Sequence, residues 1–119
     1  MRNFRNLEVW TESIELAKPV YQVTKHLPGE EKYGLVAQMR RAAISIPANI
    51  AEGSSRRTSV DFARFLEIAL GSSFELETYL ELVSSFDKSE SNDFSLLMDQ
   101  LHLIQKRVNA LRESILKPK

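Results

Sequence analysis

The chain has 119 residues, of which 43% are hydrophobic and 27% charged, with only four Gly and four Pro. This composition predicts one soluble domain over residues 1–119 and excludes a disordered or collagen-like chain. Because the sequence has no Cys and two His, a disulfide framework, a thiol nucleophile and a cysteine-based metal site are excluded. No apolar run has the length of a membrane span, and the first residues lack a signal-peptide pattern, so we expect a cytoplasmic protein without membrane contact.

The net charge of zero conceals an uneven distribution of charge along the chain. Residues 1–57 carry a net charge of +3, residues 58–99 carry −7, and residues 100–119 carry +4. Two interpretations are open. Either antiparallel helices of opposite charge pair with one another, or a basic face binds nucleic acid while an acidic face lies elsewhere.

The first two predicted helices each contain a proline. Apolar residues spaced three and four apart predict a first helix over residues 7–27, with Asn6 as its N-cap and a bend at Pro19. A second helix is predicted from about residue 33 to Gly53, where Gly and two serines supply the stop.

Two longer helices follow. Thr58-Ser59-Val60-Asp61 resembles a capping box and opens a third helix that continues to about residue 86. Ser91 or Asn92 caps a fourth helix, whose apolar residues form a heptad seam up to Pro118.

These patterns predict an all-α fold, an antiparallel up-down-up-down four-helix bundle. The first and third helices carry more apolar residues than a monomeric bundle buries. Self-association into a homo-oligomer is the expected outlet for that surplus.

The most unusual stretch is QMRRAAISIPANIAEGSSRR, residues 38–57, in which a proline lies in mid-helix among small residues. Asn49 and Glu52 must find polar partners there, and Arg40 or Arg41 is the expected partner of Glu52. The stretch is either a structural kink with a polar network that fixes packing or an oligomer interface, or a source of arginines for phosphate contacts. The candidate nucleic-acid contacts are Arg40, Arg41, Arg56, Arg57, Arg64, Lys106, Arg107 and Arg112.

No complete catalytic constellation is found in the sequence. Asp99-x-x-His102 is only half of a di-metal carboxylate motif, the glycines are scattered, and neither His is placed to activate a Ser. We therefore predict a non-enzymatic protein with no cofactor and no metal site.

Three stretches carry a family resemblance: FRNLEVWTESIELAKPVYQVTKHLP at residues 4–28, EKYGLVAQMRRAAISIPANIAEGSSR at 31–56 and DFARFLEIALGSSFELETYLELV at 61–83. Over nearly the whole chain the sequence resembles the bacterial four-helix-bundle family of 23S rRNA intervening-sequence proteins, often encoded within insertions in the large ribosomal RNA gene. The resemblance implies a homopentameric, barrel-like ring. A related branch, the accessory variability determinant of diversity-generating retroelements, is a pentamer that binds nucleic acid and a reverse transcriptase through basic surface.

The resemblance also marks a set of motif positions, for which we expect mostly structural roles. They are Trp10, Tyr33, Arg41, Ser45, Pro47, Asn49, Glu52, Gly53, Gly71 and Glu75. Gly71 is expected to allow close contact with a neighbouring backbone, and Glu75 with Glu77 to pair with arginines of the second helix or of another copy. For Glu75 a ligand-binding role is the alternative. Trp10 and Tyr33 are expected to be core or interface anchors rather than base-stacking platforms.

Two functions remain open at this point. The first is a homo-oligomeric protein that binds ribosomal RNA or another structured RNA through a basic face. The second is a scaffold or accessory subunit that binds a protein partner through its acidic third helix or its apolar surplus, without any nucleic-acid role.

Overall fold

A computed structural model describes residues 3–27, 29, 32–86 and 92–118 of the chain. Within these residues the backbone forms four α-helices and no strand, so the all-α prediction is confirmed. The helices are α1 (Glu8–Lys25), α2 (Ala37–Ser54), α3 (Ser59–Phe86) and α4 (Asn92–Leu116). The predicted cap at Ser91 and the side chain of Tyr33 lie outside what is described. No helix in the described part of the chain combines the length and the apolar character that crossing a membrane requires.

The capping prediction holds at α3 and is wrong at α1. Thr58 Oγ1 accepts a hydrogen bond from the backbone N–H of Asp61 at 3.1 Å, as the first half of a capping box requires. At α1 the N-cap position is Leu7, which has no capping side chain, because Asn6 belongs to a preceding 3-10 turn. The start of α1 is therefore fixed by backbone turns and packing rather than by a polar cap.

The start of α2 also differs from the prediction. Lys32–Val36 forms a π-helical segment, so α2 itself begins at Ala37 and ends at Ser54, one residue past Gly53. Pro19 and Pro47 lie inside α1 and α2, and neither proline ends its helix.

The four helices share one core. α1 packs on α2 and α4, and α3 packs on the same two helices, in a body of 50 × 24 × 20 Å. Each helix contributes fully buried apolar side chains, such as Leu16, Ile46, Leu66 and Leu101. Full burial of one such side chain contributes roughly 1.5–3 kcal/mol, so this core holds the bundle together.

Contacting pairs on neighbouring helices run in opposite order along the chain. On α2 and α3, Gly53 faces Phe65 and Ser45 faces Ser72. On α3 and α4, the equivalent pairs are Glu67 with Arg112 and Glu77 with Gln105. On α1 and α4, Glu12 meets Arg107. One end of the bundle therefore collects the start of α3 with the ends of α2 and α4, and the start of α1 meets α4 at Arg107.

Candidate nucleic-acid interface

Six of the eight candidate nucleic-acid contacts lie between the middle of the bundle and that end, a region that we call the arginine end. They are Arg56, Arg57, Arg64, Lys106, Arg107 and Arg112. The other two, Arg40 and Arg41, lie near the start of α2. The contacts between helices place Lys106 and Arg107 near the middle of the bundle, closer in height to Arg41 than to Arg57. The chain fold thus brings together residues that are up to 56 positions apart in the sequence.

Two guanidinium groups of the arginine end lie against one aromatic ring. Arg56 Cζ is 4.7 Å, and Arg64 Cζ 5.4 Å, from the centroid of the Phe65 ring. A cation held against a ring face is attracted by the ring quadrupole, and its remaining N–H groups can still donate. Phe65 therefore orders two arginines on either side of the α2–α3 turn, and the apolar pattern of α3 gave no sign of this role.

Glu52 has a different partner from the one predicted. Arg56 Nη2 donates to Glu52 Oε1 at 2.9 Å, so the expected pairing with Arg40 or Arg41 is wrong. Positions four apart lie on one helix face, whereas Arg40 and Arg41 precede Glu52 by about three turns, on the order of 16 Å. A second exposed pair joins Arg64 to Asp61 at 3.7 Å.

The arginines of α4 pair with carboxylates of neighbouring helices. Arg112 Nη1 donates to Glu67 Oε1 of α3 at 2.9 Å, and Arg107 forms a hydrogen-bonded ion pair with Glu12 of α1. The hydrogen bond and the charge of Glu12 raise the pKa of Arg107 above its ordinary value. Part of the basic charge of α4 therefore pairs within the chain, as the interpretation of oppositely charged helices predicts.

Two cations of the arginine end remain without a partner among the described residues. Arg57 lies in the α2–α3 turn, Lys106 lies on α4, and both side chains are exposed. Neither has a hydrogen bond or an ion pair within the described part of the chain.

Arg40 is engaged in packing at the opposite end. Its Nε donates to Thr24 Oγ1 at 2.9 Å, and its Cζ lies 4.5 Å from the centroid of the Tyr21 ring. These contacts fasten the end of α1 to the start of α2. Arg41, on the exposed side of α2, donates to Gln38 Oε1 of its own helix.

The motif positions around Pro47 build a polar contact between α2 and α3. The hydroxyls of Ser45 and Ser72 lie 2.8 Å apart, and Asn49 Nδ2 donates to the Ser45 carbonyl at 2.8 Å and to its Oγ at 2.9 Å. Ser72 is buried, so its Oγ needs a hydrogen-bond partner, and Ser45 provides it. This network fixes the register of α2 against α3.

The two motif glycines have opposite surroundings. A Cβ at Gly53 would lie 2.5 Å from Phe65 Cβ, so Gly53 is what allows α2 and α3 to approach. A Cβ at Gly71 would meet no atom within 4 Å, and Gly71 is exposed. The close contact expected of Gly71 is therefore not made within the described part of the chain, because its side of α3 faces outward.

Glu75 and Glu77 also differ from expectation. Glu77 Oε1 accepts from Gln105 Nε2 at 2.8 Å, and Glu77 Oε2 lies 3.4 Å from His102 Nε2. The hydrogen bond from Gln105, together with His102, lowers the pKa of Glu77 although partial burial raises it. Glu77 thus faces α4 rather than an arginine of α2. Glu75 is exposed and has no partner among the described residues.

Trp10 packs partly buried against the core, and its ring meets the ring of Phe4 edge to face with centroids 4.9 Å apart. Among the described residues no group of three His, Asp or Glu side chains could hold a metal ion. The groups available for binding in the described part of the chain are therefore arginines, carboxylates and exposed apolar side chains.

Four helices packed around one core define a four-helix-bundle protein. The model of the 23S rRNA-intervening sequence protein family matches residues 5–110, and the chain belongs to this family. It is also similar, at 28% identity and a TM-score of 0.78, to a crystal structure from Bacteroides thetaiotaomicron described as a protein with unknown function from the S23 ribosomal protein family. That similarity covers 87% of this chain and 97% of the other. No curated protein matches the chain.

Proposed function

We propose that this protein is a non-enzymatic RNA-binding protein that acts as an assembly of identical copies and contacts RNA through the arginine end. The observation that carries the RNA part is the placement of Arg56 and Arg64 against Phe65, with the unpaired Arg57 between them in the sequence. Lys106, Arg107 and Arg112 of α4 belong to the same arginine end. The family to which the chain belongs is named for an intervening sequence of 23S rRNA, and this name supports RNA as the ligand.

The proposed topology is up-down-up-down. Contacts such as Ser45 with Ser72 and Gly53 with Phe65 support it, because residue numbers rise on one helix as they fall on its neighbour. The proposed assembly is the ring of five that the family resemblance implies. In a ring whose axis runs along the bundles, all arginine ends lie at one mouth. Several weak sites can then bind one RNA together, and the affinity of the assembly exceeds that of a single copy's charge cluster.

The ion pairs at the arginine end do not prevent phosphate binding. Exposed pairs such as Arg56 with Glu52 and Arg64 with Asp61 contribute only about 0–1 kcal/mol, so a phosphate can compete for these guanidinium groups. Guanidinium binds phosphate with two parallel hydrogen bonds, which a single Lys cannot reproduce. Binding of this kind reads the backbone and the shape of a folded RNA, with little sequence preference.

RNA binding is measured by fluorescence anisotropy of a labelled structured RNA across a salt series, with a duplex DNA of matched length beside it. We expect dissociation constants in the micromolar range or tighter. The logarithm of the binding constant is expected to fall with the logarithm of the salt concentration, with a slope of several units. Reversing both unpaired cations, Arg57→Glu with Lys106→Glu, is expected to reduce RNA affinity at least tenfold.

The matched control reverses two exposed cations of α1 outside the arginine end, Lys18→Glu with Lys25→Glu, which changes the net charge equally. The control is expected to retain most of the RNA affinity. Equal losses in both variants would contradict a localised site. Absence of RNA binding by the unmodified protein even at low salt would contradict the proposal itself.

One observation favours the alternative, a scaffold that binds a protein partner and no nucleic acid. Four of the six cations at the arginine end already have carboxylate partners within the chain: Arg56, Arg64, Arg107 and Arg112. A failure of the anisotropy experiment would leave these pairs as purely structural and would make the scaffold the better assignment.

A further inference from the structure

The outward side of α3 carries a row of apolar side chains that no described part of the chain covers. Their exposed fractions are 71% for Val60, 45% for Ile68, 54% for Phe74 and 44% for Leu82. Gly71 lies among them with open space beyond its Cα. We call these five residues the α3 face. Exposed apolar side chains grouped along one side of a helix in this way mark a contact with another molecule.

A second apolar surface lies where α1 and α2 meet. Ile14 and Tyr21 are each 37% exposed, Ile44 is 49% exposed, and Ala48, one turn after Ile44, is exposed as well. The guanidinium of Arg40 over the Tyr21 ring joins the two helices within this surface. We call Ile14, Tyr21, Ile44 and Ala48 the α1–α2 face.

The two faces carry opposite charges that lack counter-ions. Beside the α3 face, Glu75 and Glu81 are exposed and have no partner among the described residues. Beside the α1–α2 face, Arg41 donates to a neutral amide, and Arg40 donates to a hydroxyl and a carbonyl. The chain therefore presents an acidic apolar face and a basic apolar face, which complement each other between copies.

The register of α2 against α3 places the complementary groups at matching heights. The Ser45–Ser72 and Gly53–Phe65 contacts set Ile44 level with residues 73–74 of α3, and Arg41 level with residues 76–77, within two residues of Glu75. A rotation about an axis parallel to the bundle preserves these heights. Copies related by such a rotation can therefore place Phe74 of one beside Ile44 of the next and Glu75 beside Arg41.

We infer that the partner of the α3 face is a second copy of this chain, bound through its α1–α2 face in a head-to-tail contact with Glu75 of one copy paired to Arg41 of the next. A head-to-tail contact joins two different faces and closes into a ring when the rotation allows. This inference rests on the self-assembly within the proposed function and assigns the residues that perform it.

Charge reversal tests the pairing. Glu75→Arg and Arg41→Glu are each expected to reduce the molar mass in light scattering toward that of one copy, because like charges then face each other. Mixing the two variants is expected to restore contacts between unlike copies, since the altered positions complement each other there. In a ring of five at least one contact still joins identical variants, so the rescue of molar mass is expected to be partial. Rescue by mixing distinguishes a pair between copies from a pair within one chain. Glu113→Arg on the exposed side of α4 is the control and is expected to leave the mass unchanged.

A second test is disulfide cross-linking, because the sequence has no cysteine of its own that could react. Ile44→Cys and Phe74→Cys are made as separate proteins with different tags, mixed, and oxidised. A disulfide-linked pair that contains both tags is expected. As a control, Leu103→Cys in place of Phe74→Cys is expected to give little of this linked product.

The outcomes separate this inference from the proposal on which it rests. An unmodified protein that assembles, while the mixed variants neither associate nor cross-link, would overturn the assigned faces and leave RNA binding and assembly standing. A monomeric unmodified protein would overturn the assembly and the assigned faces together. The RNA anisotropy experiment is independent of both.

Discussion

The inward and outward sides of α3 show what the folding of one chain explains and what it does not. On the inward side, Gly53 of α2 lies so close to Phe65 that any side chain at Gly53 would collide. On the outward side, Gly71 faces open space, and Phe74 is 54% exposed. Glycine inside a helix costs about 0.5–1 kcal/mol relative to alanine. Close packing within the chain offsets that cost at Gly53, whereas at Gly71 only a contact with another molecule would offset it.

The largest effect is expected from Gly53→Ala. The new Cβ would lie 2.5 Å from Phe65 Cβ, an atom tied to the backbone, so α2 and α3 must move apart. We expect the free energy of unfolding to fall by about 1–3 kcal/mol, even though alanine itself favours a helix. Urea unfolding followed by circular dichroism measures this. Unchanged or increased stability would show that the inward contact is looser than described.

Gly71→Ala is expected to act in the opposite direction on the single chain. With no atom near the new Cβ, higher helix propensity should raise the free energy of unfolding of the isolated chain by about 0.5–1 kcal/mol. If the α3 face packs tightly on a second copy, the same methyl weakens assembly. Unfolding is measured in the Glu75→Arg background, where copies are expected to separate, and assembly is measured in the unmodified background. A variant with lower stability as a single chain would contradict the open surroundings of Gly71.

A smaller effect is expected from Glu77, on the side of α3 that faces α4. Its pKa in the folded chain is below the ordinary value, chiefly because Gln105 donates to it. Its contribution to stability is therefore fully present above the unfolded pKa of about 4.3 and is lost as pH falls through the lower folded pKa. The midpoint temperature of thermal unfolding should therefore fall less steeply between about pH 6 and pH 3 in Glu77→Gln than in the unmodified protein. Identical slopes would mean that the Gln105 contact does not persist in solution.

The sequence was sufficient to predict the helices, because their apolar spacing and turn residues act locally. Thr58 capped α3 as predicted, and the apolar surplus on α3 appears as exposed Ile68, Phe74 and Leu82. At Asn6 the prediction failed, because a 3-10 turn competed for the same residues.

The partners of the charged and small residues could not be predicted from the sequence. Glu52 pairs with Arg56, Glu77 with Gln105 and His102, and Gly53 with Phe65. Glu52 is the exception, because a spacing of four residues favours Arg56 over Arg40 and Arg41. The contacts of Glu77 and of Gly53 depend on the register between helices. Packing of the core sets that register, and the sequence of a single helix does not contain it.

The molar mass of the unmodified protein by light scattering tests most directly whether the outward side of α3 is a contact between copies. At tens of micromolar we expect several times the 13.6 kDa of one chain, and five times that mass for the proposed ring. A stable species of 13.6 kDa across that range would contradict the assembly and would leave the α3 face without its proposed partner.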